Sequence, residues 1–360
     1  MPAMLRRLIL LLPGALLVQC VPAGSADAVQ PAGAVVQKTT EPLISSRREL
    51  HAHMTGWIAT AQTPVNFRLA PSLRSQWRDF IGEELWAEYA RRCSARVMET
   101  GQVSLKLEYR DYVRLCAALR DAAFRTTLTA QEEAVLQQLE QRTRSLLRAG
   151  MSALDKVVVL HDALVQGSRY DARAGGNIAD LLTKGCGSCE AYSAALCVML
   201  EIAGVPSRVV TGTADGPHAW NLVQLGQEWY HVDATWDDPV VNDGSRQLLQ
   251  HSYCCCTDAE MRRTHRWNRE SYPASGTRTA YYYRARGLYF TSFSAYWKAA
   301  MAAWQRGENC FEGYLTNYGS TLQFQQALER TPAAANAPTR LSWTGPETAA
   351  GTVTLTFEPD

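Results

Sequence analysis

The sequence predicts an α+β protein in which one central helix packs against an antiparallel sheet, with a small α+β module on each side. Three observations support this prediction. An alanine-rich apolar run begins at Cys189 and stops at Gly204, a residue suited to the end of a helix. Alternating segments follow it, two of them joined by the turn Gly226-Gln227. Finally, residues 101–109 and 351–359 share one alternating pattern near opposite ends of the chain.

Composition limits the classes of partner. The chain has 360 residues, of which 46% are hydrophobic and 20% charged, as in globular domains with apolar cores. Its formal net charge of +1 provides no strongly basic surface for nucleic acid or for an anionic membrane. We therefore expect no nucleic-acid partner, and no membrane contact beyond an N-terminal lipid anchor. No cofactor or metal motif is apparent, so we expect neither, and the oligomeric state stays open.

The N-terminus has the pattern of a bacterial export signal. Two arginines precede the apolar run Leu8–Val18, and Ala26–Ala28 has the small residues of a cleavage site, so residues 1–28 are predicted to be a signal peptide. Leu17–Cys20 also resembles a lipoprotein signal, and an uncleaved membrane anchor is the alternative. We expect an exported protein, secreted or associated with the cell envelope. Residues 29–44 are predicted to form a linker.

An N-terminal module is predicted over residues 45–125. Hydrophobic periodicity predicts its elements in the order helix, strand, helix and strand, at about Ser45–Thr60, Val65–Leu69, Ser72–Tyr89 and Val103–Tyr109. A C-terminal module is predicted over residues 286–360, and the shared strand pattern indicates that it repeats the first one. Chance similarity between two amphipathic strands is the alternative.

The central domain is predicted over residues 126–285, and it begins with two helices. The first has the capping-box pattern Thr129–Glu132. The second is predicted to begin at Ser152 and to stop near Gly167, with His161 as a residue at the edge of the core and not a catalyst. Three strands are expected after the central helix, at Arg208–Thr213, His218–Leu225 and Glu228–Trp236.

The predicted two-residue turn fixes the register of the last two strands. It places Leu225 opposite Glu228, and the same count places His218 diagonal to Asp233 on one face of the sheet. A carboxylate there can reach the imidazole and fix its tautomer. Cys189 lies at the predicted helix N-terminus, where unpaired N–H groups favour thiol ionisation. These three residues have the types and order of a thiol nucleophile, its base and the residue that orients the base.

Together these segments resemble the transglutaminase-like domain, in the bacterial branch that has a papain-like cysteine-protease core. The resemblance covers about residues 150–270, and it rests on GSCEAYS at 187–193, GVPSRVVTG at 204–212, HAWN at 218–221 and WYHVDATWDDP at 229–239, together with Tyr170-Asp171 and residues 253–267. On this pattern Cys189 corresponds to the nucleophile, His218 to the general base and Asp233 to the third member of the triad. Ala191 stands where the family usually has glycine.

The resemblance implies an enzyme of acyl transfer that acts on peptide or carboxamide bonds. A Cys189 thiolate would attack the carbonyl, His218 would protonate the leaving amine, and water or an amine would resolve the thioester. The expected substrate is a protein or peptide-like molecule such as a cell-surface polymer, with hydrolysis slightly favoured over transamidation. The backbone N–H of Cys189 is one expected oxyanion donor, and the second donor is not assigned.

Two other functions stay open. One is a catalytically silent binding or scaffold module with the same fold. The other is a thiol–disulfide oxidoreductase, because Cys186–Cys189 has C-x-x-C spacing, and oxidation of that pair would also silence the nucleophile. Zinc binding is disfavoured, since the consecutive thiols of Cys254–Cys256 have poor chelating geometry, and we expect them to be buried small residues before a capping box at Thr257. Trp220 and Trp236 are expected either to line the cleft or to pack in the core.

Overall fold

The computed structural model describes residues 41–82, 86–238, 249–316, 321–330, 338, 340–345 and 351–358. The predicted export signal and most of the predicted linker lie outside these residues. The chain divides into two compact units between Leu128 and Thr129. The predicted domain boundaries near residues 125 and 285 stay predictions. Among the described helices, none is both long and apolar enough to cross a membrane.

The first unit contains a four-stranded sheet with the order β1-β2-β4-β3. Its strands are β1 (Leu43–Ile44), β2 (Val65–Leu69), β3 (Ala90–Val97) and β4 (Gln102–Tyr109). Its helices are α1 (Arg47–Ala59), α2 (Trp77–Phe80), α3 (Asp111–Arg120) and α4 (Ala122–Arg125). As predicted, α1 is amphipathic and buries Leu50, Met54 and Trp57.

The prediction of one long helix over Ser72–Tyr89 is wrong. Pro71–Gln76 is a short 3₁₀ helix, and α2 ends at Phe80. The reason is tertiary, because Phe80, Ile81 and Trp86 are all buried. On one continuous helix these three side chains would point in directions roughly 120° apart. The chain leaves the helical path so that all three can reach the core.

The second unit contains the central helix and a five-stranded sheet with the order β10-β9-β8-β7-β11. Its first helices are α5 (Ala130–Leu146), α6 (Ala153–Gly167), α7 (Ile178–Lys184) and α8 (Cys189–Ile202). The sheet consists of β7 (Ser207–Thr213), β8 (Pro217–Leu225), β9 (Glu228–Val232), β10 (Cys254–Cys256) and β11 (Arg266–Trp267). A short parallel pair joins β5 (Arg169–Tyr170) to β6 (Cys186–Gly187), and two short helices follow, α9 (Asp258–Met261) and α10 (Tyr281–Arg286).

Helix α8 is the central element of this unit. It lies against β7 and β8, and every residue of Ala191–Leu200 is buried. Several local signals are confirmed: capping boxes begin α5, α6 and α9, and Gly204 follows α8 with φ of +70°. Strands β8 and β9 pair with Leu225 opposite Glu228, and Gly226 has φ of +66°, as the predicted turn requires.

Strand β9 is shorter than predicted, because it ends at Val232 and not at Trp236. The carboxylate of Asp233 causes the turn, since its Oδ1 accepts the backbone N–H of Thr235 at 3.0 Å and that of Trp236 at 3.2 Å. These local hydrogen bonds replace the ladder that a longer strand would need.

His161, predicted to lie at the edge of the core, is instead fully buried. Its two ring nitrogens lie 2.9 Å from Asp162 Oδ1 and 3.2 Å from Asp237 Oδ2. Polar partners at both nitrogens allow a histidine to occupy the interior, and only one of those partners is a neighbour in sequence.

A third sheet completes the second unit, with the order β12-β13-β15-β14. Its elements are β12 (Tyr289–Phe290), α11 (Phe293–Gln305), β13 (Cys310–Leu315), α12 (Thr321–Glu329), β14 (Arg340–Thr344) and β15 (Thr352–Glu358). The strand order and the parallel and antiparallel pairings match those of β1 to β4. This matching topology supports the predicted repeat.

Candidate active site

A tight approach of two chain segments places Cys189 at the start of α8. Gly185 ends α7 with φ of +64°, and Ser188 is the N-cap residue of α8. A Cβ on Gly187 would lie 2.9 Å from the Cβ of Ala191 and 2.9 Å from the Cδ1 of Leu181. Glycine is therefore needed at 187, and the methyl group of Ala191 occupies the space that this glycine leaves. The departure from the family pattern at Ala191 is accommodated locally.

The side chains of His218 and Asp233 meet beside this helix. His218 lies on β8 and Asp233 follows β9, and the His218 Nε2 to Asp233 Oδ2 distance is 2.6 Å. Both residues are buried. Strand β8 is held against α8 in part by Asn221, whose Nδ2 donates a hydrogen bond of 2.9 Å to the carbonyl of Ser193. The predicted contact between these two side chains is confirmed, although Asp233 lies one residue beyond the last paired residue of β9, Val232.

A second imidazole binds the same carboxylate oxygen. The Nε2 of His265 lies 3.0 Å from Asp233 Oδ2, and its Nδ1 lies 2.8 Å from the hydroxyl of Thr264. We call His218, Asp233 and His265 the Asp233 cluster. Sequence reasoning missed His265, which is 32 residues away from Asp233. The available signal was its place in the segment 253–267, which takes part in the family resemblance.

The electrostatics of the cluster favour a charged imidazole. Burial alone would lower the pKa of His218, but the charge and hydrogen bond of Asp233, together with a hydrogen bond to Cys189, raise that pKa to about 10. Burial would likewise raise the pKa of Asp233, but His218 and His265 hold it well below its usual range. Because Asp233 holds Nε2, the Nδ1 of His218 is the atom that faces the thiol. Cys189 thus lies next to an imidazole whose orientation is fixed and whose positive charge can stabilise a thiolate.

Aromatic side chains enclose the imidazole of His218. Trp220 stacks on it with ring centroids 5.8 Å apart and an interplanar angle of 21°, and Trp236 lies at 6.2 Å. Trp220 is only 1% exposed, and its Nε1 donates a hydrogen bond of 2.9 Å to Nδ1 of His231. It therefore belongs to the core and contacts the candidate base as well. Trp236 is half-buried and packs against His265, with ring centroids 4.7 Å apart.

Asp238 connects the segments around the thiol. Its Oδ2 accepts the backbone N–H of Tyr170 at 3.0 Å and the hydroxyl of Tyr192 at 2.6 Å. Tyr170 lies on β5, whose partner β6 directly precedes Cys189. Burial, then the nearby charges of Cys189 and Asp233, raise the pKa of the Tyr170 phenol. The phenol therefore lies close to the thiol and keeps its proton at neutral pH.

Residues 140–234 match the family model of the transglutaminase-like superfamily. This segment runs from α5 to the turn after β9, and it contains Cys189, His218 and Asp233. This part of the central domain is therefore similar to the transglutaminase-like superfamily. The fold expected from the resemblance, a helix packed on an antiparallel sheet, is the one observed.

Solved structures show a limited likeness to the chain. The crystal structure of a TGase has 14% identity and a TM-score of 0.28, over 57% of this chain and 61% of that one. A candidate cysteine protease of Cytophaga hutchinsonii has 15% identity and a TM-score of 0.25, over 40% and 61%. The periplasmic domain of TgpA from Pseudomonas aeruginosa, bound to ethylmercury, has 18% identity and a TM-score of 0.25, over 39% and 62%. The chain spans about three-fifths of each structure, and likeness at this level carries no argument about function. No curated protein matches the chain.

The remaining cysteines differ in their positions relative to the transglutaminase-like site. Cys186 and Cys189 are both partly exposed free thiols, three residues apart on β6 and α8. Cys254–Cys256 is a buried strand, as predicted, with a bulge at Cys255, where φ is +65°. Cys254 lies close enough to His161 and His251 to interact with both electrostatically.

Proposed function

We propose that this protein is an exported cysteine enzyme that transfers acyl groups from peptide or carboxamide bonds. Cys189 is the nucleophile, His218 the general base and acid, and Asp233 the carboxylate that orients the imidazole. One observation carries the proposal: Cys189, at the N-terminus of a buried helix, shares a hydrogen bond with an imidazole whose other nitrogen lies 2.6 Å from a buried carboxylate. This arrangement activates a thiol for nucleophilic attack.

The reaction follows from these contacts. The Cys189 thiol passes its proton to Nδ1 of His218, and the thiolate attacks the carbonyl carbon, so that a C–S bond forms. The imidazolium then gives the proton to the leaving amine as the C–N bond breaks, which leaves a thioester on Cys189. His218 next takes a proton from water or from an acceptor amine, which attacks the thioester and regenerates the thiolate.

The oxyanion formed in each step needs donors close to the sulfur. The backbone N–H of Cys189 is available, because the first N–H groups of a helix have no partner within the helix. The protonated phenol of Tyr170 is the candidate for the second donor, since it lies near both Cys189 and Asp233. A backbone donor together with a neutral hydroxyl would stabilise the charge without adding a cation to the site.

His265 is proposed as a positioning residue for the base. It gives Asp233 a second hydrogen bond at the oxygen that binds His218, while the backbone N–H groups of Thr235 and Trp236 hold the other oxygen. With both oxygens held, the carboxylate has one orientation, and that orientation sets the imidazole plane of His218.

The proposal also specifies the acceptor of the acyl group, the substrate and the location of the enzyme. Hydrolysis of a peptide-like bond is favoured over transamidation, and the proposed substrate is a protein or peptide-like polymer of the cell surface. Export rests on the pattern of residues 1–28, which precedes the described residues. An acyl-enzyme that meets water gives hydrolysis, and one that meets an amine gives a new amide.

The test compares two thiols that lie three residues apart. Purified wild-type protein, Cys189→Ala and Cys186→Ala are incubated with a library of peptides and peptide amides, with and without an added primary amine. Mass spectrometry then identifies hydrolysis and amine-exchange products. We expect Cys189→Ala to lose at least about 10⁴-fold in rate. Cys186→Ala should stay within about threefold of wild type, because Cys186 has no assigned step.

Each contrary result points to a different function. Turnover that survives Cys189→Ala would refute the triad. Loss of turnover in both variants, with paired oxidation of the two thiols, would favour the oxidoreductase. Alkylation by iodoacetamide gives a substrate-free check, since an activated Cys189 should react faster than Cys186, which is also partly exposed. Equal alkylation rates without turnover would favour a silent scaffold.

A further inference from the structure

A second group of histidines and carboxylates is centred on Asp162. The Nδ1 of His161 and the Nε2 of His251 both approach Asp162 Oδ1, at 2.9 and 3.0 Å. We call these three residues the Asp162 cluster. His161 and Asp162 are on α6, and His251 lies just before β10. The acyl-transfer mechanism uses none of them.

The outer nitrogens of the two imidazoles also face carboxylates. The Nε2 of His161 lies 3.2 Å from Asp237 Oδ2, and the Nδ1 of His251 lies 2.7 Å from Glu312 Oε2. Asp237 also accepts the backbone N–H of Tyr253, at 2.9 and 3.2 Å from its two oxygens. Glu312 also accepts the backbone N–H of His251 and the hydroxyl of Tyr283, both at 2.9 Å. These contacts leave both carboxylates acting as acceptors.

The contacts between these imidazoles and carboxylates need more protons than two neutral imidazoles carry. Four contacts join two imidazoles to three carboxylates, and every one needs a proton between nitrogen and oxygen. Two neutral imidazoles supply only two protons. Either both rings are imidazolium cations, which supply the two missing protons, or a divalent cation replaces the two inner protons, in a region where His161 is fully buried and His251 nearly so.

The Asp233 cluster has no such deficit. Its two contacts with Asp233 use one N–H from each imidazole, while the outer nitrogens can accept protons from the thiol of Cys189 and the hydroxyl of Thr264. Two neutral rings satisfy every contact there. The two clusters have similar inner geometry, but their contacts require different numbers of protons.

We propose that His161, Asp162 and His251 bind a divalent first-row transition metal ion, of which Zn²⁺ is the representative. The ligand atoms are His161 Nδ1, His251 Nε2 and Asp162 Oδ1, which lie within 4.8 Å of one another. Two imidazoles and one carboxylate are an established ligand set for such ions. The ion supplies two positive charges and displaces the two protons that the inner contacts would otherwise need.

The outer carboxylates fit the same role. Histidines that bind metals usually donate their other N–H to a carboxylate, which fixes the tautomer and the ring orientation. Asp237 and Glu312 occupy those positions for His161 and His251. The ring of His251 is also stacked on Tyr282, with centroids 4.2 Å apart and an interplanar angle of 8°.

The dimensions and the access also suit an ion. Cis ligands about 2.1 Å from a metal lie roughly 3.0–3.4 Å apart, and the two inner N···O distances are 2.9 and 3.0 Å. The side chain of Asp162 is 26% exposed, so the group opens to solvent on that side. Water can complete the coordination there. The ion would connect α6 to the segment before β10 and, through Glu312, to β13.

The test measures metal binding and not catalysis. The full chain, without a histidine tag, carries Cys189→Ala and His218→Gln so that the Asp233 cluster cannot bind the ion. After chelator treatment it is titrated with Zn²⁺ by calorimetry and with Co²⁺ by absorption. We expect one equivalent of Zn²⁺, and a Co²⁺ spectrum without a thiolate charge-transfer band. We also expect Zn²⁺ to raise the Tm.

Variants in this background identify the ligands. Asp162→Asn, at a partly exposed position, should weaken Zn²⁺ binding at least about tenfold and abolish the Tm increase. Glu312→Gln should weaken binding by about 10- to 100-fold, as expected for a partner of a metal-bound histidine. His53→Gln, at an exposed position of α1, is the matched control and should change neither Zn²⁺ affinity nor the Tm increase.

Three results would overturn the proposal. One is the absence of a bound equivalent in the background protein. Another is unchanged affinity in Asp162→Asn, and the third is a thiolate band in the Co²⁺ spectrum. If Asp162→Asn fails to fold by circular dichroism, the stoichiometry and the Co²⁺ spectrum of the background protein still decide the question.

Discussion

The Asp233 cluster and the Asp162 cluster share one inner design and differ in their outer partners. In each, a single carboxylate oxygen contacts two imidazoles, at 2.6 and 3.0 Å in the first and at 2.9 and 3.0 Å in the second. The two ring centroids are 5.4 Å apart in both. The outer nitrogens face a thiol and a hydroxyl in the Asp233 cluster, and two carboxylates in the Asp162 cluster.

This difference indicates that the shared imidazole–carboxylate–imidazole arrangement does not by itself set the proposed function of either cluster. A thiol at the outer nitrogen can give its proton to the imidazole and become a nucleophile. An ionised carboxylate at the same position can only accept a hydrogen bond. The imidazole must then donate from both nitrogens, or bind a cation at its inner nitrogen. On these two proposals, the outer partner is what distinguishes the group proposed for acyl transfer from the group proposed for cation binding.

The largest expected difference between the clusters comes from removing one imidazole from each. His218→Gln should lower kcat/KM by about 10⁴-fold, because the base that contacts the thiol is lost. His161→Gln should lower the free energy of unfolding by about 3 kcal/mol, since buried carboxylates lose a partner, while kcat per folded molecule stays within about threefold. Urea unfolding and steady-state kinetics measure the two effects. A comparable loss of kcat in His161→Gln would mean that the Asp162 cluster takes part in catalysis.

The second-largest expected effect is a shift in the pH dependence of activity when the carboxylate of Asp233 is neutralised. Because the pKa of His218 is raised to about 10 by Asp233 and Cys189 against the effect of burial, the stabilisation from its charge is fully present below about pH 6.5 and is lost as the pH rises through 10. Activity should fall over the same alkaline range as the imidazolium loses its proton. In Asp233→Asn the charge that raises this pKa is gone, so the alkaline limb of kcat/KM should move towards neutral pH.

The control for this shift is Glu308→Gln, an exposed carboxylate that pairs with Arg306 and belongs to neither cluster. Its pH profile for kcat/KM should overlay that of the wild type. An alkaline limb that stays in place in Asp233→Asn would show that another group sets it.

The smallest expected effect concerns the second imidazole of the Asp233 cluster. His265→Gln should lower kcat by about 10- to 100-fold with KM nearly unchanged, because His265 orients Asp233 and does not touch the substrate. A merely structural role would lower the Tm without this split between kcat and KM. Equal losses in kcat and in thermal stability, with an unchanged rate per folded molecule, would contradict the positioning role.

Much of the central fold could be predicted because its signals are local. The capping boxes, the glycine after α8 and the two-residue turn between β8 and β9 all act within a few residues. Each was recognisable from residue type and spacing. The same turn allowed the contact of His218 with Asp233 to be predicted, since pairing in a hairpin follows from the length of its loop. The catalytic roles of these residues remain proposals.

Other features could not be predicted, because they depend on where distant segments pack. The helix expected at Ser72–Tyr89 is broken so that Phe80, Ile81 and Trp86 can all reach the core. Strand β9 ends early because the side chain of Asp233 bonds to the backbone of its own turn. Hydrophobic periodicity reports neither effect.

Sequence alone determined the transglutaminase-like helix and hairpin, and the order in which Cys189, His218 and Asp233 occur. Only the tertiary structure decided that His265 shares the carboxylate of Asp233, 32 residues away, and that His251 shares the carboxylate of Asp162, 89 residues away. The physical reason is range. Caps and turns are satisfied within a few bonds of the chain, whereas a buried imidazole takes its partners from whichever elements fold against it.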